Sequence, residues 1–336
     1  RVNMKSAYEV ECRAKEGKHI NTIKEDLEAL VDKRLHWTLL TLPILGIVIF
    51  TILPLVFMIC MAFTSYSKVG DHLTIFHWVG LKNFSTVLGM GNSIGKTFWS
   101  VLGWTLIWAV LATFLNYILG MILAIVINRK TTRIKGFWRF CFMLSAAIPQ
   151  FVSLLLMRTM LKDNGLINNL LVQAGLISSP LPFLTNATWA RATVVIINLW
   201  VGIPFTMMQV TGILQNIPGE LYEAARVDGA GPVTIFFKIT LPYMLFVTTP
   251  YLITTFTGNI NNFNVIYLLT AGAPVPVGAT AGKTDLLVTW LYKLTVDLQY
   301  FNVGAVVGIL TFVILAVVSL ITYRNTGSYK NEEGFQ

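Results

Sequence analysis

The amino-acid sequence predicts an all-α fold, a polytopic bundle of about six membrane-spanning helices, on three observations. The 336 residues are 55% hydrophobic and 12% charged, with a mean hydropathy of +0.66; an average soluble protein is about one quarter charged. The deficit is concentrated: no Asp, Glu, Lys or Arg occurs in 35–67, 97–128, 192–219, 239–282 or 298–323. A helix needs roughly 20 predominantly apolar residues to cross the hydrocarbon core, and each block reaches that length. Finally, the short segment RKTTRIKGFWR (Arg129–Arg139) carries five basic residues and no acid, the mark of a cytoplasmic connection.

In chain order, residues 1–36 are polar and charge-mixed and form an N-terminal cytoplasmic segment, with a surface helix expected near Thr22–Lys33. The chain opens on Arg1 rather than Met and shows no signal-peptide pattern; further helices upstream are compatible with that opening. The transmembrane domain covers 37–323. Its first span lies at about 37–63, with Pro43 and Pro54 as kink sites, and a polar loop follows at 64–96. The second span is about 98–127, and the third, after the basic segment, about 140–161. An uncharged polar loop leads to the fourth span at about 190–214. The fifth span is about 243–269, followed by a Gly/Pro/Ala-rich loop at 271–283. The sixth is about 302–323, and residues 324–336 form a cytoplasmic tail. Trp37, Trp99, Trp138 and Trp189 stand at span ends, as an aromatic belt requires. Counting from the basic segment puts 1–36, 215–242 and the tail inside, and 64–96, 162–189 and 271–301 outside.

Several function classes drop out. Cys12, Cys60 and Cys141 are odd in number and scattered, giving neither a disulfide framework nor a metal-binding spacing. His72 and His77 share their loop with a single carboxylate, Asp71, and no cysteine, a pattern that does not favour a metal site. GNSIGKT (Gly91–Thr97) and GATAGKT (Gly278–Thr284) resemble phosphate loops, but each has three residues between its glycines where the motif needs four. Both also fall outside, away from cytoplasmic ATP. The formal charge of +9 follows the loop distribution of Lys and Arg and calls for no nucleic-acid partner.

The stretch EAARVDGAGPVTIFFKITLP (Glu223–Pro242) interrupts two apolar runs with charges, glycines and prolines. Read physically, Pro218–Val227 is a short helix with Pro218 in its first turn and Glu220 and Glu223 early, where the helix dipole favours anions. Asp228 and Gly229 end it, Pro232 starts a second helix, and Leu241-Pro242 is expected to break that helix before the fifth span. Ala224 and Ala225 leave one face open to close packing. These residues also suit an ordinary amphipathic cytoplasmic loop.

The spacing is more particular. Glu223-Ala224-Ala225, three residues, Gly229, nine residues, Ile239, one residue and Leu241-Pro242 resembles the EAA signature of importer permeases in the ATP-binding-cassette (ABC) superfamily. With Asn259–Leu294, it is similar to the MalF-type permease subunit of maltose and maltodextrin importers. The likeness covers nearly the whole chain. It implies a MetI/MalF-like fold in a bacterial cytoplasmic membrane, no catalysis on this chain, and no cofactor of its own, ATP and Mg being held by a partner. The implied partners are a second, MalG-like permease subunit, two MalK/MsmK-like ATPases and an external sugar-binding lipoprotein. Glu220, Glu223, Ala224, Ala225, Asp228 and Gly229 would dock on an ATPase. The first external loop, about 33 residues by the span limits above, departs from the enteric proteins, which carry a folded domain there.

A sugar in a membrane needs hydroxyl partners and flat apolar faces. The fifth span interleaves Thr254, Thr255, Thr257, Asn259, Asn261 and Asn262 with Tyr251, Phe256 and Phe263. Asn both donates and accepts, and aromatic rings cover pyranose faces. On a continuous helix Thr255, Asn259 and Asn262 share one face. Asn and Thr also hold membrane helices together; the resemblance assigns Thr255, Asn259 and Asn262 to sugar contact, with Gly202 and Phe205 from the fourth span. Phe205 stands where the family's best-known pattern has tyrosine, and Thr255 where it has serine. The expected substrate is a maltose- or maltodextrin-type oligosaccharide, the alternatives being galacto-oligosaccharides or another glycan. An ion-coupled secondary transporter is disfavoured because no Asp or Glu lies inside the spans, and a membrane enzyme because no acid, base or nucleophile constellation is visible.

Overall fold

A computed structural model describes residues 35–69, 72–74, 76–129 and 131–324, with a few isolated positions before 35. The expected surface helix near 22–33 and the tail beyond 324 lie outside the described residues. The chain divides into two compact units, 1–60 and 61–336. Helix α1 (Leu35–Ile47), a π-helical turn (Val48–Ile52) and α2 (Leu53–Ala62) follow one another directly in an apolar stretch.

The second unit begins with a small cap of short elements. Strands β1 (Lys68–Val69) and β2 (His72–Leu73) pair antiparallel, and α3 (Lys82–Leu88) follows. Asn83 Nδ2 ties α3 back to the Ala62 and Thr64 carbonyls at 2.8 and 2.7 Å. Helix α4 (Ser93–Val110), the π-helical turn Leu111–Leu115 and α5 (Asn116–Asn128) make a single 36-residue span. It starts where Asn92 Oδ1 accepts the Gly95 amide at 2.7 Å, an N-cap of the usual kind.

The expected third span at 140–161 is instead two helices, α6 (Lys135–Ala147) and α7 (Gln150–Met160), bent by 82°. The cause is Pro149. A residue before proline is driven out of the helical region, and Ile148 is extended at φ −80°, ψ 130°. Helix α8 (Leu166–Gln173) precedes α9 (Ala187–Asn216), whose Pro204 sits within the helix. Then come α10 (Gly219–Val227) and α11 (Pro232–Ile235).

The expected break at Leu241-Pro242 does not occur. A π-helical turn at Phe236–Thr240 leads directly into α12 (Leu241–Ile260). Proline clashes with the carbonyl four residues back. For Pro242 that residue is Lys238, inside the widened turn, and α1–α2 place Pro54 against Phe50 in the same way. Helices α13 (Phe263–Leu269) and α14 (Leu287–Tyr292), the π-helical turn Lys293–Asp297 and α15 (Phe301–Arg324) complete the chain. Among the described residues, five helical segments are long and apolar enough to cross a membrane, six if the bent α6–α7 pair counts as one.

The core has two apolar layers. One gathers Trp104, Trp108, Leu154, Val194, Ile266 and Leu286, the other Tyr117, Met121, Met207, Val210 and Met244. Helices α5 and α9 cross on small residues, as membrane helices do when backbones approach. A Cβ on Gly120 would fall 2.7 Å from Thr206 Cβ. The opposite face of the same span, Phe114, Ile118, Ile122 and Val126, stays exposed, an apolar stripe at i, i+4, i+8 and i+12.

Candidate functional site

Between the two apolar layers lies a cavity of about 450 Å³. Helix α9 lines it with Asn198, Val201, Gly202, Phe205 and Thr206, at i, i+3, i+4, i+7 and i+8 on one face. Helix α12 adds Tyr251, Thr255 and Asn259, at i, i+4 and i+8. The broken α6–α7 pair closes a wall with Ala147, Ile148, Pro149, Gln150 and Ser153, and α5 contributes Asn116. Among the described residues, no Asp, Glu, Lys, Arg or His lines the cavity.

Four of the five expected sugar-contact residues therefore converge: Gly202, Phe205, Thr255 and Asn259. The fifth does not. Helix α12 ends at Ile260, and Asn261 already leaves the helical geometry at φ −95°, ψ 21°, so Asn262 no longer shares the face of Thr255 and Asn259. Its side chain caps α13 instead, Oδ1 accepting the Val265 amide at 3.2 Å.

The lining groups differ in how far the protein already satisfies them. Asn259 is committed: Nδ2 donates to Thr113 Oγ1 at 3.0 Å, Oδ1 accepts from Asn262 Nδ2 at 3.4 Å, and its backbone carbonyl accepts Trp108 Nε1 at 3.1 Å. Thr206 Oγ1 and Tyr251 OH lie 3.4 Å apart. By contrast, the side chains of Ser153, Asn198 and Thr255 have no hydrogen-bond partner among the described residues. Ser153 and Asn198 are largely buried, yet their polar atoms stay open to the cavity; the lining atom sealed from solvent without a partner is Asn116 Oδ1. Phe205 presents an exposed ring. The cavity thus offers neutral donors and acceptors beside aromatic faces, suited to a polyhydroxylated, uncharged guest.

Asn116, Ser153 and Asn198 were not singled out from sequence. Each is one uncharged polar residue inside an apolar run, on three different helices, and nothing local tells a lining residue from a helix-packing one.

At one end of the bundle α10 stands exposed. Glu220, Glu223, Ala224, Asp228 and Gly229 are all at the surface, Ala225 partly so. Its C-terminus closes with the Ala230 amide on the Ala225 carbonyl (2.8 Å) and the Gly229 amide on the Arg226 carbonyl (3.0 Å), the paired bonds of a Schellman motif. Gly229 takes the left-handed conformation, φ +77°, with open space where a side chain would be. Tyr222 OH, 3.2 Å from Thr240 Oγ1, ties α10 to the base of α12.

Spanning helices surround an uncharged polar cavity, and a surface elbow is tied to a cavity-lining helix, an arrangement that suits a membrane permease. The fold agrees: a chain of a bacterial ABC transporter involved in the import of the acidic polysaccharide alginate superposes with a TM-score of 0.69 at 23% identity, covering 89% of this chain and 96% of that one. Residues 116–326 match the family described as binding-protein-dependent transport system inner membrane component, and the chain belongs to that family. It is 36% identical over 335 residues to the galactooligosaccharides transport system permease protein GanP of Bacillus subtilis, covering 98% of this chain and 79% of the relative. It is 36% identical over 332 residues to the maltodextrin transport system permease protein MdxF of the same organism, covering 94% and 75%. To the maltose/maltodextrin transport system permease protein MalF of Escherichia coli it is 35% identical over 253 residues, 74% of this chain and 49% of that one. The protein is a multi-pass component of the cytoplasmic membrane.

Proposed function

We propose that this chain is one transmembrane half of an ABC importer for neutral oligosaccharides of the maltodextrin type, working by alternating access. The observation that carries the reading is the cavity: about 450 Å³, without a charged residue, lined by Ser153, Asn198 and Thr255 with unmet hydrogen bonds beside Phe205 and Tyr251. A charge-free site rejects ionic solutes by desolvation and accepts sugar hydroxyls. In this reading Glu220, Glu223, Ala224, Ala225, Asp228 and Gly229 form the contact with a separate ATPase. The helical run from Pro232 through Ile260 carries its movement to the cavity without a break at Pro242, helped by the Tyr222–Thr240 contact. A second permease half, a pair of ATPases and an external sugar-binding protein complete the assembly. ATP and Mg belong to the partner.

A second substrate reading is galacto-oligosaccharides, favoured by the equal 36% identity to relatives named for each sugar. The deciding experiment is ATP hydrolysis by the reconstituted complex with its binding protein, titrated with maltodextrins and separately with galacto-oligosaccharides. Stimulation by maltodextrins is the expected result. Stimulation by galacto-oligosaccharides alone would move the chain to the second specificity, and indifference to both would end the oligosaccharide reading.

A further inference from the structure

A second cavity, of about 460 Å³, lies at the end of the bundle remote from α10, and both glycine–lysine–threonine segments rejected as phosphate loops border it. Lys96 and Thr97 come from the first, Lys283 from the second. Lys96 opens the α4–α5 span that Arg129 closes; 33 residues of helix separate them, about 50 Å at 1.5 Å per residue. The cavity is therefore across the membrane from the basic connection.

Its wall carries three cations. Arg191 is fixed in place: its guanidinium lies 4.5 Å over the Trp104 ring, and its Nε donates to the Lys283 carbonyl at 2.8 Å. Lys96 and Lys283 are exposed beside it. The one carboxylate on the wall, Asp285, is fully buried and already taken, by Lys293 Nζ and the Gly282 amide, each at 2.6 Å, and by Thr289 Oγ1 at 2.9 Å. No other carboxylate of the described residues pairs with Lys96, Arg191 or Lys283. A concave site with several like charges and no counter-charge concentrates positive potential. A guanidinium held by its Nε still offers its terminal N–H groups to a carboxylate. A neutral sugar has no use for this arrangement.

We infer that the pocket formed by Lys96, Arg191 and Lys283 receives an acidic side chain from the external binding protein, and so acts as its docking receptor on this subunit. The inference rests on the importer reading above. It is tested with the complete reconstituted complex at saturating sugar, titrating the binding protein and reading ATP hydrolysis. In Lys96→Glu/Lys283→Glu the half-saturating concentration of binding protein should rise about tenfold or more, the maximal rate returning at high concentration. Raising the salt from about 0.05 to 0.3 M should weaken the wild type and leave the variant nearly flat, because salt screens exposed charge pairs. Lys96→Arg/Lys283→Arg should behave as wild type.

Equal half-saturation and equal salt dependence in wild type and the Glu variant would overturn the inference. So would a lost maximal rate at unchanged half-saturation. Inhibition of the wild type by millimolar citrate, with no shift of half-saturation in the variant, would give the pocket to a free anion instead. If the wild type shows no hydrolysis dependent on the binding protein, the importer reading itself fails, and docking with it.

Discussion

Gly202 has no room for a side chain. A Cβ there would fall 2.7 Å from Asn116 Oδ1 and 2.9 Å from the rest of its amide. That amide is pinned, Nδ2 donating to the Ala112 carbonyl at 2.7 Å, while Oδ1 is buried without a partner. Gly202→Ala is therefore expected to cost about 1–3 kcal/mol by overpacking, seen as a lower melting temperature of the purified complex. Asn116→Ala should relieve most of it in the double variant. Additive losses would show that the two residues are not in contact. Sequence gave Gly202 only as half of a recognised segment, because the residue that makes glycine necessary lies 86 positions earlier (202 minus 116). Likewise Asn262 read as a lining residue while α12 was assumed to continue, and the cap at Asn261 is what removes it from that face.

Among the elements, α10 and the loop before α14 carry the clearest expectations. A Cβ on Gly229 would meet nothing, so Gly229→Ala changes backbone preference alone. A non-glycine residue in the left-handed region costs about 1–2 kcal/mol. Copurification of the ATPase should fall in this variant while the permease still assembles with its second half; undiminished copurification would detach Gly229 from coupling.

Asp285, in the loop before α14, and Lys293, at the start of the π-helical turn after it, make a buried pair folded against Gly272, whose φ is +79° and where a Cβ would strike both side chains. Breaking such a pair from one side is costly, about 3–5 kcal/mol. Asp285→Asn should lower the melting temperature sharply, and a variant as stable as the wild type would refute the latch. Length and apolar composition made the spans legible in sequence, since no soluble fold needs charge-free runs of that size. Their interruptions were read less well. Ile148-Pro149 was counted through as part of one span, and Leu241-Pro242 was read as a stop although a π-helical turn absorbs it. Both depend on how neighbouring turns adjust around proline, which residue pattern alone does not encode.

Across the whole molecule, the cationic pocket and α10 occupy opposite ends of the bundle. The assignment of sides can be tested by chemistry at two exposed positions, Val277, fully exposed in the external loop, and Val227, 87% exposed at the end of α10. With Cys12, Cys60 and Cys141 replaced by serine, a membrane-impermeant maleimide added to intact cells should label Val277→Cys and spare Val227→Cys. The reverse pattern would invert the topology. The order of sides is an expectation from one basic segment, whereas the convergence of residues 96, 191 and 283 on one wall was not readable, because it depends on how the first turns of α4 and α9 and the loop before α14 come together.

The cavity between the apolar layers has one more consequence. A unit charge moved through 100 mV exchanges about 2.3 kcal/mol with the membrane potential, and no Asp, Glu, Lys, Arg or His lines this cavity. A neutral guest held by Asn, Ser and Thr passes the electric field without doing work on it. Sugar-driven hydrolysis in proteoliposomes should then be indifferent to an imposed potassium diffusion potential of either sign, and the transporter should feed a de-energised cell as readily as a respiring one, so long as nucleotide lasts.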